Sequence, residues 1–193
     1  MSQGGQFSLF GAAVAEPTLA DLDGVLLAGG WWVRVEGVAR LSVVVEDRWR
    51  ADALAEEFRL RGVEAEPDDG IVDAEAGFGV RTGFHTSLNQ HALRWSRGAN
   101  AEPPVDFELT AGGLRLWAVA AGRRDDVGYL LATALPDDRV HTAGGAQLSR
   151  LGLAAVSLTG RGGPGWRITS TKRIRRLGEL LGPPPAGGAA AWT

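Results

Sequence analysis

The sequence contains no cysteine and a single lysine. Without cysteine there is no disulfide framework, no thiolate metal site and no cysteine nucleophile, a pattern that fits a cytoplasmic protein. It also lacks any apolar run approaching the roughly 18 residues that cross a bilayer, and Met1 to Gly5 place no basic residue before a weakly apolar stretch. Neither a membrane span nor a signal segment is expected. His85, His91 and His141 show no paired metal-ligand spacing, so none is assigned to a ligand shell. No serine sits in a Gly-x-Ser-x-Gly elbow, and the run Gly160 to Gly165 lacks the Gly-Lys-Ser/Thr ending of a phosphate loop. No catalytic residue, metal ligand or cofactor site is predicted.

What is present reads as a soluble globular chain, with 45% apolar and 22% charged residues. The formal charge of -3 conceals an asymmetry. Residues 1–110 hold 9 arginines against 18 carboxylates, whereas residues 111–193 hold 11 basic residues against 5. Such a dipolar chain can offer a basic half to phosphates or to an acidic partner. The preference for arginine suits bidentate contacts, and together with abundant Gly and Ala it also matches a GC-rich bacterial genome.

Residues 1–17 read as an arm, anchored through Phe7, Leu9 and Phe10 and closed by Pro17. Thr18 and Asp21 form a capping-box-like start, and Leu19, Leu22, Val25, Leu26 and Gly29 share a helical face that ends at Gly29-Gly30. A hairpin follows from Trp31 to Val45, then a helix carrying Ala51, Leu54 and Phe58 and closed by Gly62. A second hairpin turns at Pro67-Asp68-Asp69-Gly70 and ends at Phe78 to Thr82, before a short helix from Ser87 to Trp95. Residues 98–108 form a linker.

The order then restarts. Thr110 caps a helix carrying Leu114, Trp117, Ala118 and Ala121 and ending at Gly122. A strand is expected over Val127 to Ala134, a helix over Val140 to Leu151, further strands at Leu153 to Thr159 and Trp166 to Thr169, and a last helix with Ile174, Leu177 and Leu181 on one face. The Pro-, Gly- and Ala-rich tail 182–193 is expected to be disordered. The repeats thus cover 18–97 and 109–181.

An offset of 92 pairs Thr18 with Thr110, Leu22 with Leu114, Ala28 with Ala120 and Gly30 with Gly122. Arg61-Gly62-Val63 faces Leu151-Gly152-Leu153 at offset 90, and Val80-Arg81 faces Trp166-Arg167 at offset 86. A twice-repeated helix, hairpin, helix, hairpin, helix predicts an α+β fold of two αββαββα repeats, with paired central helices over two antiparallel sheets. Small residues on the two first helices, Gly24, Ala28 and Gly29 against Ala118, Ala121 and Gly122, would form their seam.

On these residues the chain resembles the LAGLIDADG family of homing endonucleases. Leu22 to Gly30 keep the motif's Leu, Gly, two aliphatics, Ala and final Gly; Leu114 to Gly122 keep chiefly the first Leu, the Ala and the final Gly. The resemblance implies two helices packed on a pseudo-twofold axis, with two saddle-shaped sheets beneath them lying on DNA. It also implies a metal-holding acid before each final Gly, and here those positions are Gly29 and Ala121. WhiA-type sporulation regulators of actinobacteria are similar in this respect, with an Ala-Gly-Gly motif and a binding role without cleavage. The carboxylates nearest the helix ends, Asp21, Asp23, Asp125 and Asp126, read as solvated caps that do not converge on a metal.

The candidate nucleic-acid surface is Arg161, Arg167, Lys172, Arg173, Arg175 and Arg176, with Trp166 among them. Glu64, Glu66, Asp68, Asp69, Asp73 and Glu75 would repel phosphate if they faced it. The expectation is a non-catalytic nucleic-acid-binding or transcription-regulatory protein, a monomer with an internal pseudo-twofold, whose partner is DNA or RNA or a DNA-bound protein. The alternatives are a protein–protein adaptor using the acidic first repeat and a metal-dependent DNA endonuclease.

Overall fold

A computed structural model describes residues 16–68, 77–97, 100–134, 138–160 and 163–193. The expected anchors Phe7, Leu9 and Phe10, and the turn residues Asp69 and Gly70, lie outside it. A 3-10 turn, Leu19–Leu22, runs into α1 (Asp23–Leu27), followed by β1 (Trp31–Val35), β2 (Val38–Val45), α2 (Arg48–Leu60), β3 (Ala65–Asp68), β4 (Phe78–Thr82) and α3 (Thr86–Arg94). Two-residue strands β5 (Ser96–Arg97) and β6 (Asn100–Ala101) open the connection. The second half is α4 (Ala111–Ala121), β7 (Gly122–Arg124), β8 (Tyr129–Ala132), α5 (Arg139–Arg150), β9 (Val156–Leu158), β10 (Gly165–Ile168) and α6 (Thr171–Leu181).

Both halves therefore have the order αββαββα. Their sheets are antiparallel and equivalent, β1-β2-β4-β3 and β7-β8-β10-β9. The first hairpin closes tightly because Glu36 and Gly37 both take positive φ (43° and 86°), which matches the twist of paired strands. The repeat reappears in the loops, where Gly62 and Gly152, paired at offset 90, take φ of 74° and 76° after α2 and α5. Sequence periodicity missed β7. Gly-Arg-Arg has no apolar alternation, and Gly122 both caps α4 and starts the strand.

One core joins the halves. Leu22, Val25, Leu26 and Leu27 of the first turn and helix pack with Leu114, Leu116, Trp117 and Val119 of α4, and Leu54 and Phe58 of α2 join them. The backbones of α1 and α4 touch: a Cβ built on Gly24 would lie 1.8 Å from the Gly113 carbonyl oxygen, and one on Gly112 would lie 2.3 Å from the Asp21 carboxylate. The closest approach thus pairs Gly24 with the Gly112-Gly113 step at the start of α4. Ala118, Ala121 and Gly122 lie at the other end of that helix, Ala28 caps α1, and Gly29 faces Ala134, whose Cβ would lie 2.9 Å from a Cβ placed there.

The tail departs from the composition-based expectation of disorder. Trp192 is buried, its Nε1 donates to the Gly182 carbonyl (2.8 Å), and the Arg115 guanidinium lies 5.4 Å from its ring centre. One indole ring supplies apolar area that a Pro/Gly/Ala count does not register. The connection before α4 is also pinned. Phe107 meets Trp95 edge-on at 5.2 Å, while Gln147 donates to the Phe107 carbonyl and accepts from the Leu109 amide.

Candidate nucleic-acid interface

In β2 the odd-numbered residues Ala39, Leu41, Val43 and Val45 are buried toward the helices, so Val38, Arg40, Ser42 and Val44 face outward. Register places Trp31 opposite Ser42, Ser42 opposite Arg81, and Arg81 opposite Glu66, making one outward row across the first sheet. Ser42 is only 2% exposed there, flanked by Trp31 and Arg81. In the second sheet Tyr129, Leu131 and Ile168 face the core, and the outward row is Arg123, Leu130, Arg167 and Val156. Leu130 is 1% exposed although it faces away from the core, which fits coverage by the aliphatic stems of the two arginines beside it.

These rows are equivalent in the repeat. Trp31 corresponds to Arg123 at offset 92 and Arg81 to Arg167 at offset 86, the spacings by which the sequence matches itself. Arg167 also binds Asp125 at 2.5 Å. Asp125 further accepts the amides of Val127 and Gly128 at 3.0 and 2.8 Å. Partial burial alone would raise the Asp125 pKa; those amides and the guanidinium outweigh it and hold the group below the ordinary aspartate value.

The remaining candidates separate from this row. Lys172, Arg173, Arg175 and Arg176 are exposed on α6, which packs on α4 through its Leu177 and Leu181 face, so they belong to the helical layer. Arg173 donates to the Ala154 carbonyl at 3.1 Å. Arg161 lies outside the described residues. Trp166 does not join the surface arginines: it stacks on His141 at 4.7 Å and its Nε1 donates to the His141 carbonyl. His141 in turn contacts Thr133 Oγ1 at 3.0 Å and Ser157 Oγ at 2.9 Å, a fully used ring. Glu66 is the acid that faces outward on the first sheet, beside exposed Glu64. Asp69, Asp73 and Glu75 and the side chain of Asp68 are outside the described residues.

A divalent cation at the ends of the two central helices would need oxygen ligands there, carboxylates above all. Gly29 follows the Ala28 cap of α1, and Ala121 ends α4. The last carbonyls of α4, those of Ala118, Val119 and Gly122, instead accept from the buried Arg50 guanidinium at 3.4, 2.8 and 2.7 Å, while Asp47 holds its Nε at 3.0 Å. A cationic side chain already satisfies these acceptors, and no carboxylate ends either helix, so the residues present do not fit Mg²⁺. Among the described residues no group of three His, Asp or Glu could hold a metal.

Asp21 and Asp23, expected as solvated caps, are buried. Asp21 receives Arg61 at 2.9 Å and Thr110 Oγ1 at 2.6 Å, and Asp23 accepts the Trp95 indole N–H at 2.7 Å. The sequence signal was weak, since Arg61 and Trp95 lie 40 and 72 residues away. Burial raises the Asp23 pKa from 3.8 to about 6, against the lowering effect of the indole bond. A carboxyl whose folded pKa is raised contributes stability that is full below about pH 4 and lost as pH rises through about 6. Asp23→Asn keeps an acceptor for Trp95 and does not ionise. Its advantage over the parent protein in urea unfolding should therefore grow from pH 5 to pH 8, to about 3 kcal/mol.

No protein-family model matches the sequence, and no curated protein is similar to it. Solved structures are. The homing endonuclease I-WcaI bound to its DNA recognition sequence aligns over 84% of this chain and 79% of its own, with a TM-score of 0.60 and 11% identity. Full-length WhiA from Thermatoga maritima aligns over 84% of this chain with a TM-score of 0.59 and 13% identity, and this chain spans about half of it, 54%. The N-terminal LAGLIDADG domain of WhiA aligns over 85% of this chain and 81% of its own, with a TM-score of 0.55 and 17% identity. The chain has the LAGLIDADG fold. Among the described residues no helix is long and apolar enough to cross a membrane.

Proposed function

We propose that the chain is a non-cleaving nucleic-acid-binding protein of regulatory type, acting as a monomer because its internal repeat supplies both halves of the surface. The observation that carries this reading is the outward row of the second sheet, where Arg123 and Arg167 flank Leu130 and present cations on a rigid ladder. The similar I-WcaI structure holds DNA, and the same fold supplies two sheet faces here. Loss of the acids at Gly29 and Ala121, with Arg50 on the α4 carbonyls, separates binding from cleavage. The acidic first half leaves the phosphate contacts to the second sheet, since burial removes Asp21, Asp23 and Glu57 from its exposed charge but Arg50 and Arg61 as well.

Anisotropy titration of labelled duplex DNA across a salt series tests the proposal. Arg123→Glu with Arg167→Glu should weaken binding at least tenfold and reduce the slope of log K against log salt by about 2, one phosphate per arginine. Arg173→Glu with Arg176→Glu should have a smaller effect, since those residues stand on the helical layer. Supercoiled plasmid should remain uncut with Mg²⁺ or Mn²⁺. Duplex affinity unchanged in the Arg123/Arg167 variant, or nicking that depends on metal, would overturn the reading.

A further inference from the structure

The first sheet carries a different chemistry at the position where the second carries Arg123. Trp31 stands there, 44% exposed, on the edge strand and on the outward face. Arg40 lies two residues from Trp31's partner Ser42 along β2, a diagonal step of about 7 Å. Its guanidinium carbon sits 4.8 Å from the ring centre of Phe84, itself 43% exposed. The bridge between Ala39 and His85 brings Phe84 beside Arg40: the register Ser42 to Arg81 would place residue 84 opposite Ala39, and one extra residue has been inserted. Arg40 Nε is buried with no hydrogen-bond partner among the described residues, and its guanidinium stacks on the ring.

We infer that this face, Trp31 with the Arg40–Phe84 pair, is a stacking platform for unpaired bases of single-stranded nucleic acid. The inference rests on the nucleic-acid reading above and assigns the first sheet its share of it. Exposed aromatic rings, one of them carrying a stacked guanidinium, accept the face of any base, and a step of about 7 Å is twice the 3.4 Å rise between stacked bases, as suits a splayed strand. Phosphates need cations, and these stand at the equivalent row of the second sheet. On the platform's own face Arg40 and Arg81 balance Glu64 and Glu66 among the described side chains, so the attraction for phosphate comes from the second sheet. An apolar protein segment would meet the same valines but would cover the Arg40 guanidinium without offering it an acceptor.

Three 12-nucleotide probes separate the terms: a single strand of thymidines, an abasic strand with the same phosphates, and a 12-base-pair duplex. The parent protein should bind the thymidine strand more tightly than the abasic strand. Trp31→Ala and Phe84→Ala should each weaken the thymidine strand roughly tenfold, leave the abasic strand unchanged and affect the duplex far less. Trp31→Phe should restore most of the loss, which a folding defect would not allow, and circular dichroism melts confirm each variant's fold. If all probes bind with Arg123 and Arg167 dependence but Trp31→Ala is silent, the platform is overturned and the phosphate reading stands. If no probe binds, both fall. If Trp31→Ala changes only sedimentation, dissociating a self-associated form, the face is a protein surface and the inference is overturned.

Discussion

Arg61→Ala should lower unfolding free energy by about 3 to 5 kcal/mol, the cost of removing one partner from a buried ion pair. The Arg61 side chain is 2% exposed and bridges two carboxylates, Asp21 at 2.9 Å and Glu57 at 2.8 Å. Glu57 also receives Arg115 Nε at 2.6 Å, while Asp21 keeps only neutral donors, Thr18 N and Thr110 Oγ1. Truncation therefore leaves charge in the core with no water to solvate it. Guanidinium unfolding should show the midpoint falling at constant m-value. The informative control is Arg61→Met combined with Asp21→Asn, which leaves Glu57 paired with Arg115. With no charge stranded, it should recover most of the loss, and failure to recover would mean that packing around the guanidinium, not its charge, sets the cost.

Gly24→Ala should be nearly as damaging for a steric reason. The added methyl would be 1.8 Å from the Gly113 carbonyl oxygen and 2.5 Å from its carbonyl carbon, both backbone atoms that no rotamer can move. The helices must part, opening gaps among Leu22, Val25 and Leu114 that were filled before. A loss of about 3 kcal/mol is expected, at the upper end of overpacking costs. Ala121→Gly, which alters α4 at the end far from the contact, should cost no more than about 1 kcal/mol. Equal effects from the two changes would show that the seam is not centred on Gly24.

The repeat was legible because its punctuation is local. Thr18 and Thr110 start turns, Gly30 and Gly122 end them, and Gly62 and Gly152 need positive φ at matched places. Gly24 as a seam residue was also readable, but its partner was placed a full helix length away, at Ala118 to Gly122. Small residues mark where helices can approach, not which of them meet, and Gly112-Gly113 were hidden in the capping turn of α4. The interface was legible only in part. Composition located a basic second half, yet the row of Arg123 and Arg167 exists only once strand register is known, and β7 itself left no periodic trace. Asp21 and Asp23 misled, and the buried Arg50 and Arg61 left no trace, for a common reason: an ionic side chain in a sequence gives no sign of a partner 40 to 72 residues away that makes its burial tolerable.

The chain of charges from Asp21 through Arg61 and Glu57 to Arg115 ends on the Leu181 and Pro183 carbonyls, at 2.6 and 2.8 Å. It therefore ties the start of the first repeat to the end of the second. Neither repeat can bury its central helix alone, and Glu57 of the first takes Arg115 of the second, so amide protons of α1 and α4 should exchange through one shared opening event rather than two. A split of the chain in the linker should yield fragments that acquire structure only when mixed.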